Sequence, residues 1–239
     1  MNYDVIIVGA GPGGIFSAYE LMKQKPELKV AVFETGFPLE KRHCPIVEGK
    51  VKNCIKCKTC GIMNGFGGAG AFSDGKYNIT NDFGGTLYTH IGREKAMELM
   101  HYVDDINISH GGEGTKMYST AGTHFKKVCL QHKLNLLDAS VRHLGTDINY
   151  IVLSNLYAEL KDKVDFFFNT PVEKIEVVDG GYQVDYPNGH ADCTYCIVSV
   201  GRSGSKWMET VCKELEIPTK SNRVDLGVRV ELPAVIFSH

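Results

Sequence analysis

Asp4-Val5-Ile6-Ile7-Val8-Gly9-Ala10-Gly11-Pro12-Gly13-Gly14 begins as an apolar, β-branched run and ends in a glycine turn. The run reads as a buried strand and the turn as the entry to a helix. Gly9, Gly11 and Gly14 make G-x-G-x-x-G. In that pattern the first glycine permits the tight turn and the second lets backbone approach a pyrophosphate. The third lets the helix pack closely on the strand. Pro12 suits the first helical turn, where its missing N–H costs nothing. The helix start around Gly13 then offers free N–H groups and a positive dipole end to phosphate. Ala18 keeps the helix face small against the sheet. A second apolar run, Val30-Ala31-Val32-Phe33, ends in Glu34. A carboxylate at that spacing can accept from ribose hydroxyls, and it would repel the 2′-phosphate of NADP. A glycine turn alone is weak evidence. With strand, helix and acid all at the expected spacing, it predicts dinucleotide binding.

Composition agrees with a compact protein able to bury a sizeable core: 239 residues, 43% hydrophobic and 23% charged. A formal charge of −2 gives no basic field for nucleic acid. No apolar stretch approaches the roughly 20 residues of a membrane span. The N-terminal apolar run lacks a basic leader and flows straight into the glycine turn, so it reads as a core strand and the expected location is the cytoplasm.

Eight cysteines in such a chain point to thiols, metal ligands or redox groups rather than structural disulfides. Cys54, Cys57 and Cys60 form C-x2-C-x2-C, with Cys44-Pro45 upstream. The run is similar to that of bacterial ferredoxins, although there the cysteine–proline pair follows the run. Three readings stand open. They are an iron–sulfur centre, a four-thiolate zinc site with Cys44, Cys54, Cys57 and Cys60 as ligands, or free thiols in the positive setting of Lys52, Lys56 and Lys58. Cys193 and Cys196 fall in an expected strand, where residues three apart point to opposite faces. They could share an ion only across a bulge and read as core thiols. Cys129 falls on an apolar helical face with Phe125 and Val128, which also predicts a core position.

From Gly61 to Gly75 the chain carries six glycines interleaved with Ile62, Met63, Phe66 and Phe72. That density excludes ordinary helix or strand, and the aromatics are wrong for a solvated linker. Backbone laid against a large flat ligand is the expectation, with Ser73, Asp74 and Lys76 at its edge.

These residues resemble the FAD-dependent oxidoreductases of the glutathione-reductase-like superfamily. More narrowly they resemble the bacterial and archaeal group of NAD- or FAD-utilising dehydrogenases. Asp4 to Gly14 with Glu34, Arg42-His43-Cys44-Pro45, the cysteine run, Gly65 to Lys76, Arg142 to Asp147 and Gly201-Arg202-Ser203-Gly204 carry the likeness. The resemblance implies that Gly9, Gly11 and Gly14, with Pro12 and Gly13 in the same turn, hold the FAD pyrophosphate. Glu34 would meet the adenosine ribose. Arg42 and the Gly67-Gly68 region, continuing through Ala69 to Ser73, would approach the ribityl and flavin side. The backbone of Thr170-Pro171-Val172 would meet adenine, and Gly201 would lie near the cofactor. Ser199-Val200-Gly201 stands where Ala-Thr-Gly is usual in the group. Members also continue well beyond the point reached at His239, which implies a chain truncated within its substrate domain.

The implied fold is α/β: a Rossmann-like FAD-binding domain with a central parallel sheet, a β-meander and the start of a second, mixed domain. Residues 1–90 and 135–215 would form the first, and 91–134 with 216–239 part of the second. Helices are expected over Arg93–Ile106, Thr120–Leu134, Thr146–Lys161 (Thr146 as N-cap; Ile148, Ile151, Val152, Leu156 and Leu160 buried) and Ser203–Leu215. Strands are expected at Val164–Asn169, Val172–Val178, Tyr182–Tyr186, Ala191–Val200 and Arg223–Leu232. His43 and His143 are the candidate acid–base residues. The implied function is transfer of hydride or electrons through FAD to or from a small organic substrate. NAD(P)H would be a transient donor, or an electron-donor protein a partner. A flavin-dependent hydroxylase, an RNA-modification enzyme or a noncatalytic nucleotide-binding or zinc-stabilised fragment are the alternatives.

Overall fold

The computed structural model of the protein describes residues 1–221, 226–228 and 231–237. In chain order its elements are β1 (Asn2–Val8), α1 (Pro12–Gln24), β2 (Val30–Phe33), β3 (Lys76–Ile79), α2 (Tyr88–Ile91), α3 (Arg93–Asn107), β4 (Met117–Ser119) and α4 (Phe125–Gln131). They continue with β5 (Ser140–His143), α5 (Gly145–Leu160), β6 (Asp165–Phe167), β7 (Lys174–Val178), β8 (Gly181–Tyr186), β9 (Gly189–Val198) and α6 (Ser205–Glu214). Among the described residues the strands form two sheets. The larger has the order β6-β2-β1-β9-β8-β7 and the smaller β3-β5-β4.

Four neighbouring strands of the large sheet, β6, β2, β1 and β9, run parallel. A parallel sheet is covered on both faces, so its strands are continuously apolar, as β1 and β2 are. Val5 and Ile7 pack with Ile15, Ala18, Val152 and Leu156, towards α1 and α5. Ile6 and Val8 pack with Val172, Val184 and Val211, towards the meander β7–β8–β9 and α6. The α/β fold with central parallel sheet, meander and second antiparallel sheet is therefore present. The small sheet is tied to α3 by a buried ion pair. Arg142 on β5 donates from Nε and Nη2 to the Asp104 carboxylate at 2.5 and 2.8 Å, and from Nη1 to the Thr115 carbonyl at 2.7 Å.

Several expectations need correction. Cys193 and Cys196 share a face of β9, because the strand bulges between them. Thr194 and Tyr195 both point outward, while Cys193 and Cys196 both pack into the α6-side core. The neighbouring strand carries the same kink: the Asp4 and Val5 N–H groups both donate to the Lys29 carbonyl. The two thiols hydrogen-bond, which lowers Cys193 and, with burial, raises Cys196.

The helix expected over Thr120–Leu134 is confined to Phe125–Gln131, since Gly122 has φ +71° and Thr120 instead bonds to the 137–139 segment. On that helix Phe125 is 57% and Val128 41% exposed, so Cys129 does not lie on a buried face. Ile151 is likewise exposed. Thr146 does not cap α5. The Leu144 and Gly145 N–H groups donate to the Gly75 and Asp74 carbonyls, which take over that task. Half of the strand expected at Arg223–Leu232 lies outside the described residues, and the described half, 226–228 and 231–232, forms no strand. No helix among them is long and apolar enough to cross a membrane.

Candidate dinucleotide-binding cleft

A cleft of about 580 Å³ opens at the C-terminal ends of β1, β2 and β9, where ligands of open α/β sheets bind. Its floor is the first glycine turn. Gly9 has φ +102°, and a Cβ there would lie 3.0 Å from the Ser199 carbonyl. A Cβ on Gly14 would lie 1.9 Å from the Gly9 carbonyl, so Gly14 serves helix-to-strand contact and does not face the cleft. No side chain caps the start of α1 at Gly11. Its first N–H groups therefore present the positive end of the helix dipole to the cleft.

The second glycine segment is clamped onto this turn by two buried charges. Glu34 accepts from the Ala10 N–H through Oε2 at 2.7 Å. Its Oε1 accepts from the Gly36 and Gly65 N–H groups at 2.8 and 2.9 Å. Arg42 donates to the carbonyls of Gly61, Phe66 and Ile62 at 2.9, 2.6 and 2.8 Å, and its guanidinium lies 4.8 Å from the Phe72 ring centre. Burial lowers the Arg42 pKa to about 10, against the pull of Glu34 and Cys60, so it stays cationic at neutral pH. The Gly67 N–H donates to the Ala10 carbonyl at 2.8 Å. Gly68, at φ +59°, then faces Gly11 so closely that a Cβ on Gly68 would lie 3.1 Å from the Gly11 Cα. The outcome is a seam of bare backbone, Gly11 against Gly68, beside the open helix start.

Of the residues expected to hold the cofactor, Gly9, Gly11, Pro12, Gly13, Glu34, Gly68, Ala69, Val172 and Gly201 line this one cleft. Gly14, Arg42, Gly67 and Ser73 do not. Arg42 is turned into the carbonyls of the 61–66 segment, Gly67 is packed under Leu153, and Ser73 bonds outward to the Gly70 carbonyl. Glu34 borders the cleft, yet three backbone N–H groups already occupy its oxygens, so it organises the turn as well as facing the ligand space. Phe66 is buried against Tyr157 and Phe166 and is a core residue, not a platform.

Sequence reasoning missed Lys58, Met63 and Asn64 on one wall and Arg202, Ser203 and Trp207 on the other. Ser203 Oγ donates to Asn64 Oδ1 at 2.5 Å, linking the walls, and the Trp207 indole donates to the Glu173 carbonyl at 2.9 Å. Ser199, the departure from the usual alanine, donates to the Val8 and Gly9 carbonyls at 3.2 and 3.1 Å. Met63 and Asn64 lie in the 61–75 stretch expected against a flat ligand, and Arg202 and Ser203 lie beside Gly201, whereas Lys58 and Trp207 carried no signal for the cleft.

The remaining candidates lie apart. His43 is largely exposed, with Nδ1 2.9 Å from Glu48, and His143 is exposed on β5, away from the cleft. Cys54 and Cys57 are exposed and Cys44 and Cys60 half-buried. Among the described residues no group of three or more Cys, His, Asp or Glu converges as a metal site, so the four thiols as arranged do not form a ligand set.

Residues 1–39 match the Thi4 family. Comparison with curated proteins returned no match. Among solved structures, glycine oxidase from Geobacillus kaustophilus superposes with a TM-score of 0.53 at 15% identity, over 91% of this chain and 59% of that one. NikD, an amino acid oxidase of nikkomycin biosynthesis, gives 0.49 at 11% identity, over 90% and 54%. Quinol fumarate reductase of E. coli gives 0.49 at 12% identity, over 85% and 33%. The chain thus spans 59% of the glycine oxidase, with which it shares the α/β fold.

Proposed function

We propose that this chain forms the FAD-binding part of a flavoprotein oxidoreductase acting on a small organic substrate. The observation that carries the reading is the uncapped start of α1 opening beside the Gly11–Gly68 seam within a single cleft. Free N–H groups, a helix dipole and backbone without side chains are what a pyrophosphate needs. Pro171, Val172 and Trp207 supply apolar surface for a flat ring, with Lys58 and Arg202 as cations at the edges. Gly9, Gly11, Gly13 and Gly68 would hold the diphosphate. Glu34 would position that turn and bring a carboxylate to the ribose. When bound, FAD would supply the hydride and electron chemistry, which the protein orients and tunes. NAD(P)H remains the proposed donor, and an iron–sulfur or zinc centre on the cysteine run would require the 44–60 segment to rearrange. The fold shared with a glycine oxidase accords with this class of reaction.

An anaerobic UV–visible spectrum of the protein after incubation with FAD and gel filtration, recorded before and after dithionite, tests the reading. A retained two-band flavin spectrum that bleaches on reduction is the expected result. Failure to retain flavin, with no change in protein fluorescence on FAD addition, would overturn it.

A further inference from the structure

Between α3 and β5 the chain makes an excursion without a core of its own. Residues 113–141 are all described, and none of them is buried. Strand pairing and hydrogen bonds hold this lobe together instead. Met117, Tyr118 and Ser119 of β4 pair with Arg142, Val141 and Ser140 of β5. Thr120 Oγ1 donates to the Leu137 carbonyl at 2.8 Å and accepts from the Ala139 N–H at 2.9 Å. Lys126 Nζ lies 2.7 Å from the Asp138 carboxylate, and the Leu134 N–H donates to the Cys129 carbonyl at 2.8 Å. On this frame stand Tyr118, Phe125, Val128, Leu130, Leu134 and Leu137, each at least 41% exposed. Helix α4 has seven residues, too few to be stable in water without packing. Large apolar side chains gathered in water on so short an element mark a surface that something covers.

The charge of the lobe selects its cover. From Lys116 to Leu137 the chain carries four lysines, two histidines and no acidic residue, although the formal charge of the whole is −2. Glu113 and Asp138 border the stretch, and Asp138 is paired with Lys126. The lobe is therefore basic on a chain that is not. Its lysines are accompanied by no arginine. Protein–protein interfaces are enriched in arginine and depleted of lysine. Lysine beside phenylalanine and leucine is instead the composition of segments that lie on an anionic bilayer. We infer that the 116–137 lobe is a docking site for a membrane surface of anionic phospholipid. Phe125, Leu130 and Leu134 enter the boundary between headgroups and acyl chains. The lysines meet lipid phosphates while their apolar stems lie along the surface. The lobe rests on the bilayer without crossing it. The inference goes beyond the cofactor reading and does not depend on it.

The test is sedimentation of the full chain with vesicles of phosphatidylcholine alone and of phosphatidylcholine mixed equally with phosphatidylglycerol. Binding to the mixed vesicles should be at least about tenfold tighter than to the neutral ones. It should weaken as salt is raised. The variant Lys127→Glu, Lys133→Glu should lose about tenfold or more of the affinity for mixed vesicles. The variant Phe125→Ser, Leu130→Ser should lose as much, because the apolar contribution goes with the side chains. All four positions are exposed, so both variants should keep the parent's circular dichroism and flavin retention. The variant Lys25→Glu, Lys161→Glu makes the same change in net charge at the C-terminal ends of α1 and α5, and should bind vesicles as the parent does. Absence of vesicle binding, equal binding to neutral and anionic vesicles, or equal losses in the lobe and control charge variants would overturn the inference. So would a concentration-dependent dimer that Phe125→Ser, Leu130→Ser abolishes, since a second copy would then cover the lobe. Each of these outcomes leaves the cofactor reading standing.

Discussion

At the scale of single residues, Glu34 and Gly14 show the difference between touching a ligand and shaping the place for it. Glu34 satisfies three buried backbone N–H groups from three different turns. Each such group left without an acceptor costs roughly 1–3 kcal/mol. Glu34→Ala should therefore lower stability by roughly 3 kcal/mol or more, seen as a lower urea midpoint, whereas Glu34→Gln keeps one oxygen and should lose less. Equal midpoints for the Ala variant and the parent would refute the clamp. Gly14→Ala forces a Cβ into the Gly9 carbonyl, a backbone atom with nowhere to go, and should abolish soluble folded protein or FAD retention. Gly201→Ala faces open space and should leave the unfolding free energy from urea titration within about 0.5 kcal/mol of the parent. The glycine pattern made Gly14 legible in the sequence, because that glycine marks a close approach, whereas Gly201 marks none. The partner of each approach was not legible. That Arg42 serves carbonyls of the 61–66 segment rather than the cleft depends on where a side chain turns, and residue type does not specify that.

At the scale of elements, the strand–turn–helix unit β1–α1 and the parallel pairing with β2 follow directly from apolar runs separated by punctuating glycines. Elements outside the parallel sheet were harder. A helical pattern over Thr120–Leu134 lost its first turn to Gly122 and to Thr120, whose hydroxyl bonds the 137–139 segment beside β5, a non-local competitor invisible to local periodicity. The bulge that brings Cys193 and Cys196 together is hidden for the same reason, since a kink shared by adjacent strands belongs to the sheet.

The helices are fastened on the side away from the cleft by polar clamps. Tyr102 on α3 donates to Glu20 on α1 at 2.5 Å and accepts from Lys23 at 2.7 Å. His110, just after α3, meets Glu159 on α5 at 3.0 Å. The hydrogen bond from Tyr102 holds the Glu20 carboxyl below its ordinary 4.5, and that with His110 does the same for Glu159. A carboxyl depressed in the folded state contributes stability above its unfolded value and loses it as pH falls through the folded value. Thermal stability should accordingly fall as pH drops below about 4.5. The double variant Tyr102→Phe, Glu159→Gln should show a shallower acid limb. Both carboxylates are partly solvated, so the effect should shrink in high salt. An acid limb identical in parent and variant would contradict the clamps.

At the scale of the whole molecule, the large sheet does one thing for function: it brings residues distant in sequence to the ends of neighbouring strands. The first glycine turn follows β1, Glu34 follows β2, and Ser199–Gly201 follows β9, while Glu34 and Arg42 fold the 61–68 segment back over that edge. One cleft results, and the account stands on its being the dinucleotide site. The most direct test is isothermal titration of FAD into the full chain and into Gly68→Val. The side chain of that variant would fill the seam against Gly11 at a position of positive φ. The account predicts one FAD per chain for the parent and at least about a hundredfold weaker binding for the variant, roughly 2.7 kcal/mol, with the variant still folded by circular dichroism. Equal affinity in the two proteins would place the nucleotide elsewhere and contradict the account.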